Sequence, residues 1–244
     1  GVAGQQVGVV AGILHRGDVS DPILRPKPDT AMATRRLRIV DAEHGAQPQL
    51  SFDGQLAVSF NGEIYNHEEL RVELMGLGVP FRTESDTEVL ANALQVWGLR
   101  ALERLNGMYA FVALDLSTGE FLAARDPFGV KPLYVIQAGQ SFVFCSEMKP
   151  LLDTIEAHQV MLLPPGYALS RKTCGRFKSP VFPSSNEPTD ASPEALDYIL
   201  SEAVRTRLPP GLPAGVLFSG GIASTLVAHS ARQFRPQTPG YFVG

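Results

Sequence analysis

An alternating apolar run, Leu56 to Phe60, meets Asn61-Gly62 and then gives way to a charged helical pattern that starts at Asn66. This strand-to-helix switch constrains the chain more than any other stretch. Asn and Gly both tolerate positive φ, so the plain expectation for the pair is a tight turn at the strand end. A second reading makes the pair a pocket, in which the Asn61 side-chain amide and the Gly62 N–H converge on a developing oxyanion. Taken alone, the dipeptide favours the turn, because Asn-Gly is common.

The flanking segments set the context. Residues 1–14 are small and apolar, as in a strand buried where backbones approach closely. His15 to Asp29 reads as a long loop, and Arg35 to Asp41 alternates basic and apolar like a strand with one wet face. Ser51 to Asn61 reads as a hairpin around Asp53-Gly54. The helix from Asn66 carries Leu70, Leu74 and Leu77 on one face. Ser85-Asp86-Thr87-Glu88 has capping-box spacing ahead of a second helix that ends at Trp97-Gly98.

Strands follow at Tyr109–Leu114, Glu120–Ala124, Leu133–Gln137 and Phe142–Cys145, then a short helix at Glu147–Leu152. Val160–Arg171 and Phe177–Val181 read as a further hairpin. Asp126-Pro127-Phe128-Gly129 reads as a turn; the remainder of the kinase motif set is missing.

Ser184 to Ser192 is a linker by composition, and the style changes after it. Pro193–Leu208 is helical with a stripe of Leu196, Ile199, Leu200 and Val204. Val216–Phe218 is a short strand, Ser219-Gly220-Gly221 turns into a helix over about 222–233, and Tyr241 starts another strand. That order opens an α/β domain with a parallel sheet. The expected division is 1–185 and 186–244.

Composition removes other classes. A net charge of −4 gives no reason to expect nucleic acid or an anionic membrane. No apolar run is long enough to span a bilayer, and no secretion signal is evident. Two cysteines, Cys145 and Cys174, offer no disulfide framework or zinc site, so a reducing cytoplasm is the default location. His15, His44, His67, His158 and His229 lack metal-ligand spacing, and no metal site is expected.

Two further constellations carry chemistry. Arg36 is suited to bidentate carboxylate binding and Asp86 to an ammonium, the two ends of a free amino acid. Asp86 also suits the first turn of a helix for local reasons. Ser219-Gly220-Gly221-Ile222-Ala223-Ser224-Thr225 can wrap an anion at a helix N-terminus. No Lys follows, so the loop is not a Walker A motif; the alternatives are a site for a pyrophosphate or adenylate and a plain tight strand-to-helix turn.

Together these stretches resemble the glutamine-hydrolysing asparagine synthetase family. The matching segments are 1–4, 15–17, 35–41, 60–67, 85–88, 125–134, 146–147, 164–166 and 219–224, in order along nearly the whole chain. The resemblance implies an α+β fold: a four-layer αββα N-terminal-nucleophile sandwich of two antiparallel sheets. The beginning of an α/β adenine-nucleotide-hydrolase-like domain would follow it.

It also implies that Arg36 grips the glutamine α-carboxylate, Asp86 its α-ammonium, and Asn61 and Gly62 form the oxyanion hole while Glu63 shapes the site. Leu217, Ser219, Gly220, Gly221, Ser224, Thr225, Val243 and Gly244 would lie around ATP. ATP and Mg would serve a complete synthetase domain, with no cofactor for the glutaminase half-reaction. Glutamine, an unnamed carboxylate acceptor, and a second copy or a synthetase subunit would be the partners.

Three departures from the family pattern stand out. The family's N-terminal Cys precedes a run like Gly1-Val2-Ala3-Gly4, so the nucleophile is expected immediately before Gly1; otherwise the glutaminase is inactive. Ala223 replaces an Asp linked to Mg-pyrophosphate. Most of a synthetase domain is missing after Gly244, which fits a fragment, a further tail, or a truncation that supplies ammonia to a partner. Thr34, where the family commonly has His, is a smaller difference. The rival readings are a β-lactam-synthetase-like ligase with an inactive glutaminase, and a non-catalytic glutamine-binding scaffold.

Overall fold

The computed structural model describes residues 9–14, 19–20, 23–27, 30–36, 45–152, 160–178, 192–208 and 213–242. The chain forms two compact units, 1–180 and 181–244.

In the first unit, strands β1 (Val9–Leu14), β2 (Val19–Ser20), β3 (Leu24–Lys27) and β4 (Thr30–Arg36) precede β5 (Gln49–Leu50) and β6 (Leu56–Ile64). Helices α1 (His67–Gly76), α2 (Asp86–Trp97) and α3 (Ala101–Arg104) follow. Then come β7 (Gly107–Asp115), β8 (Phe121–Arg125), β9 (Tyr134–Ala138), β10 (Ser141–Cys145), α4 (Lys149–Leu152), β11 (Met161–Leu162), β12 (Tyr167–Leu169) and β13 (Cys174–Arg176).

One sheet runs β11-β9-β10-β1-β4-β2, with β3 also on β4; the other runs β13-β12-β8-β7-β6-β5. Period-two alternation sends the two sides of β6 into different cores. Val58, Phe60 and Ile64 pack with Leu70, Leu74, Val89 and Leu90 of α1 and α2. Ala57 packs toward the other sheet with Met32, Phe142 and Phe144. Beyond that sheet, Ile136 and Cys145 meet Leu151 of α4. The layer order is therefore helices, sheet, sheet, helix, which is the expected α+β αββα arrangement.

Details differ from expectation. The first sheet is mixed, because β1 lies parallel to both β4 and β10. Val160–Arg171 is not one hairpin arm: β11 joins one sheet, and β12 joins the other beside β13. Leu77 falls at the C-cap of α1 and is exposed, leaving Leu70 and Leu74 as its buried face. The capping box is half made. Ser85 accepts the Thr87 N–H, but Glu88 turns away to accept the N–H groups of Arg82 and Thr83, and Thr83 Oγ1 takes the Ser85 N–H. The Asp126 turn forms as read, its carboxylate accepting N–H groups of Tyr109, Phe128, Val130 and Lys131.

The second unit has α5 (Pro193–Arg205), β14 (Val216–Phe218), α6 (Ile222–Phe234) and β15 (Gly240–Phe242), with β14 and β15 parallel as expected. Of the apolar stripe on α5, Val204 is buried whereas Leu196 and Ile199 are exposed. No helix among the described residues is long and apolar enough to cross a membrane.

Candidate functional site

Asn61-Gly62 is not a turn. The β6–β7 register continues through Asn61↔Ala110, Gly62↔Tyr109 and Glu63↔Met108 to Ile64↔Gly107. Glycine is required at 62 for a different reason: a Cβ there would stand 2.0 Å from the Met108 carbonyl oxygen and 2.8 Å from Tyr109 Cα. Its φ of 153° is also one that L side chains rarely adopt. Close backbone approach, a common cause of glycine within a strand, explains the residue.

The outer edge of β6 carries the candidate site. β5 pairs only with Ala57 and Val58, so beyond Val58 the edge has no strand neighbour among the described residues. In an antiparallel ladder, alternate residues point their N–H groups to the same side. Phe60 and Ile64 turn theirs outward. The Phe60 N–H donates to Gln47 Oε1 at 2.8 Å, and the Ile64 N–H to Asp86 Oδ2 at 3.1 Å. The same parity turns the Gly62 N–H, between them, to this edge, where it meets no acceptor among the described residues.

Asn61 has the opposite parity and lies on the side of β6 that faces the other sheet. There Thr34 of β4 donates to Ser59 across the two sheets at 3.3 Å, both side chains being buried. Asn61 is buried as well, and its Oδ1 has no hydrogen-bond partner. An unpaired buried amide oxygen is costly, and such groups gather at functional sites. The strand thus presents an open donor, the Gly62 N–H, and an unpaired acceptor, Asn61 Oδ1.

Asp86, the first residue of α2, is 5 % exposed. Burial pushes its carboxyl above the usual range, opposed by the Ile64 N–H, the charge of His67 and the Thr87 contacts. A desolvated carboxylate at a strand edge is suited to an arriving cation. His67 Nδ1 lies 2.8 Å from the Ile64 carbonyl oxygen, so both polar groups of that peptide segment are held.

The other expected residues are placed less completely. Arg36 ends β4, in register with Val19 and two residues beyond Thr34; its side chain lies outside the described set. Glu63 follows Gly62 in β6 and is engaged in a contact of its own. Gly1 to Gly4, immediately before which the nucleophile is expected, lie outside the described residues. Sequence reasoning missed Gln47, which has no periodic or motif signal, and assigned Thr87 only to a cap.

In the second unit, Gly220 has φ 81° and Gly221 caps α6 without a side-chain bond. The Ser219 and Ser224 hydroxyls lie 3.2 Å apart, while Ser224 and Thr225 donate to the Gly221 carbonyl. Leu217 is exposed in β14, and Val243 and Gly244 lie outside the described residues. The loop offers hydroxyls and backbone amides to an anion. Ala223 offers no oxygen to a divalent cation, and the described residues contain no acidic, His or Cys cluster that could hold one.

A family described as "Glutamine amidotransferase domain" matches residues 5–163, and one described as "Asparagine synthase" matches 195–243. The chain is 40% identical over 222 residues to a glutamine-hydrolyzing asparagine synthetase of Triphysaria versicolor, covering 89% of this chain and 35% of that protein. It is 42% identical over 207 residues to asparagine synthetase 3 of Arabidopsis thaliana, covering 83% and 35%. The chain spans roughly a third of the length of these curated relatives. A solved glutamine phosphoribosylpyrophosphate amidotransferase from B. subtilis aligns with TM-score 0.48 at 22% identity, over 85% of this chain and 50% of that one.

Proposed function

The chain belongs to the glutamine amidotransferase domain family, and from that membership we propose that it hydrolyses glutamine as the ammonia-supplying part of an asparagine-synthetase-type enzyme. Residues 1–185 are the glutaminase domain, and 186–244 a linker and the opening of an ATP-pyrophosphatase-type synthetase domain. The observation that carries the reading is the Gly62 N–H, open on the β6 edge between two capped N–H groups, with the buried Asn61 side chain beside it in sequence.

In this reading Asp86 receives the α-ammonium of glutamine and Arg36 its α-carboxylate, which fixes the side-chain amide over Asn61-Gly62. Glu63 shapes the same edge. A thiol expected immediately before Gly1 adds to the amide carbonyl. The oxygen gains negative charge and is met by the Gly62 N–H and the Asn61 amide. The C–N bond breaks, ammonia leaves with the thiol's proton, and water cleaves the thioester to glutamate. Ser219, Gly220, Gly221, Ser224 and Thr225 would meet the phosphates of ATP, and Leu217, Val243 and Gly244 the adenylate, in the step that activates a carboxylate acceptor.

Glutamate release from L-glutamine by the full-length protein with its native N-terminus tests the proposal. Steady release is expected, and Asn61→Ala should lower it about 100- to 1,000-fold. No glutamate, with or without ATP and an acceptor, would overturn it.

A further inference from the structure

Resting on the reading above, we propose that Gln47 is a positioning residue of the glutamine site. It holds the Gly62 edge and the Asp86 carboxylate as one hydrogen-bonded frame. Gln47 is 6 % exposed, and its two amide atoms have distinct tasks. Oε1 accepts the Phe60 N–H at 2.8 Å, a bond that requires the oxygen on that side and so assigns Nε2 to the other. Nε2 donates to Thr87 Oγ1 at 3.3 Å. With its lone pair so engaged, the Thr87 hydroxyl directs its proton to Asp86 Oδ1, 3.4 Å away. Asp86 Oδ2 then accepts the Ile64 N–H at 3.1 Å.

The ring closes on β6: Phe60, Gln47, Thr87, Asp86, Ile64. Gly62 sits in the middle of the strand segment that it encloses. Two consequences follow. Gln47 takes the ladder position that a longer β5 would fill, so it ends strand pairing one position short of the Gly62 N–H and leaves that donor open. It also orients the hydroxyl that steadies one oxygen of Asp86, so the ammonium acceptor and the oxyanion donor are set by the same side chain. Neither Gln47 nor Thr87 has to touch glutamine for this.

The test measures L-glutamine binding to the full chain by calorimetry, with thermal unfolding recorded alongside. Gln47→Leu removes both bonds at similar volume. Thr87→Val removes only the link to Asp86 and stands by itself if the Leu variant does not fold. Each is expected to weaken binding about tenfold, and the double variant no more than the weaker single, because the two residues act through one link. Gln47→Glu keeps the acceptor for Phe60 but loses the donor to Thr87 when ionised, so it should bind like Thr87→Val and, as a second buried carboxylate near Asp86, unfold more easily than wild type. Wild-type affinity in Thr87→Val, or losses that multiply in the double variant, would overturn the positioning role alone. A wild-type chain that does not bind glutamine would overturn the glutaminase reading, and this proposal with it.

Discussion

The Asn61-Gly62 edge and the Ser219-Gly220-Gly221 loop both depend on glycine, but for opposite physical reasons. Gly62 lies in a continuous strand with the neighbouring backbone so close that no Cβ fits. Gly220 has nothing within 4 Å and is needed only for its φ of 81°. The first site is set by tertiary packing: two sheets, a helix start and buried side chains converge on it. The second is set by local chain geometry, with exposed hydroxyls bonded among themselves. A site built by packing fails when the packing is disturbed, whereas one built by a turn fails locally.

Alanine at the two glycines gives the largest contrast. Gly62→Ala must push β6 away from the Met108 carbonyl, and should cost roughly 3–5 kcal/mol of stability, or prevent folding of the first unit. Gly220→Ala meets open space and should cost about 1–2 kcal/mol, the penalty for a left-handed non-glycine residue. Denaturant unfolding of both variants, followed by a probe in the unit that carries each glycine, decides this. Equal losses would show that the 62 position is no tighter than an ordinary turn.

Asp86 separates function from stability within the packed site. Asp86→Asn keeps an acceptor for the Ile64 N–H but removes the buried charge. Glutamine binding should fall about a hundredfold, or ~2.7 kcal/mol. At pH 7 the variant should nevertheless melt a few degrees higher. The sign follows from burial raising the folded carboxyl above its ordinary 3.8. Between that value and the raised one, the folded state holds more protons than the unfolded state, so stability falls as pH rises through the window. The cost is fully present above the raised value and gone below the ordinary one. Asparagine removes it, so the gain at pH 7 should vanish as pH approaches 4. A variant less stable than wild type at pH 7 would mean that Asp86 is held by a cation in the folded protein.

Much of this was legible in the chain, and what was not has physical causes. The alternation of Leu56 to Phe60, the Ser85 cap, the Trp97-Gly98 stop and the Asp126 turn depend on near neighbours, and they appear as read. The strand character of Asn61-Gly62 was hidden, because the reason for the glycine is Met108, far away in sequence. Gln47 was hidden for the same reason: its partners, Phe60 and Thr87, are joined to it only by the fold. The parallel setting of β1 depends on which strands flank it, and local pattern carries no record of that. Of the proposed site residues, Asn61, Gly62 and Asp86 were singled out through the family resemblance, since each alone read as a turn or a helix start, and the frame that holds them was not.

The smallest expected effects lie on the exposed face of α5, and with a buried position of α1 as the reference they test the same contrast between packed and open regions. Leu74 of α1 is fully buried under β6, and Leu74→Ala should cost about 2–5 kcal/mol. Leu196 and Ile199 of α5 are as apolar, yet they are 61% and 62% exposed. Removing a side chain that is already in water leaves no cavity and forfeits little transfer free energy, so Leu196→Gln and Ile199→Gln should each shift stability by no more than about 0.5 kcal/mol. Glutamine is a good helix former, close to leucine and slightly better than β-branched isoleucine, so propensity adds little. Unfolding midpoints of the three variants give the comparison directly. A loss above about 1 kcal/mol in either glutamine variant would show that this face of α5 is covered in the protein in solution, and would move the second unit from the open to the packed side of the comparison.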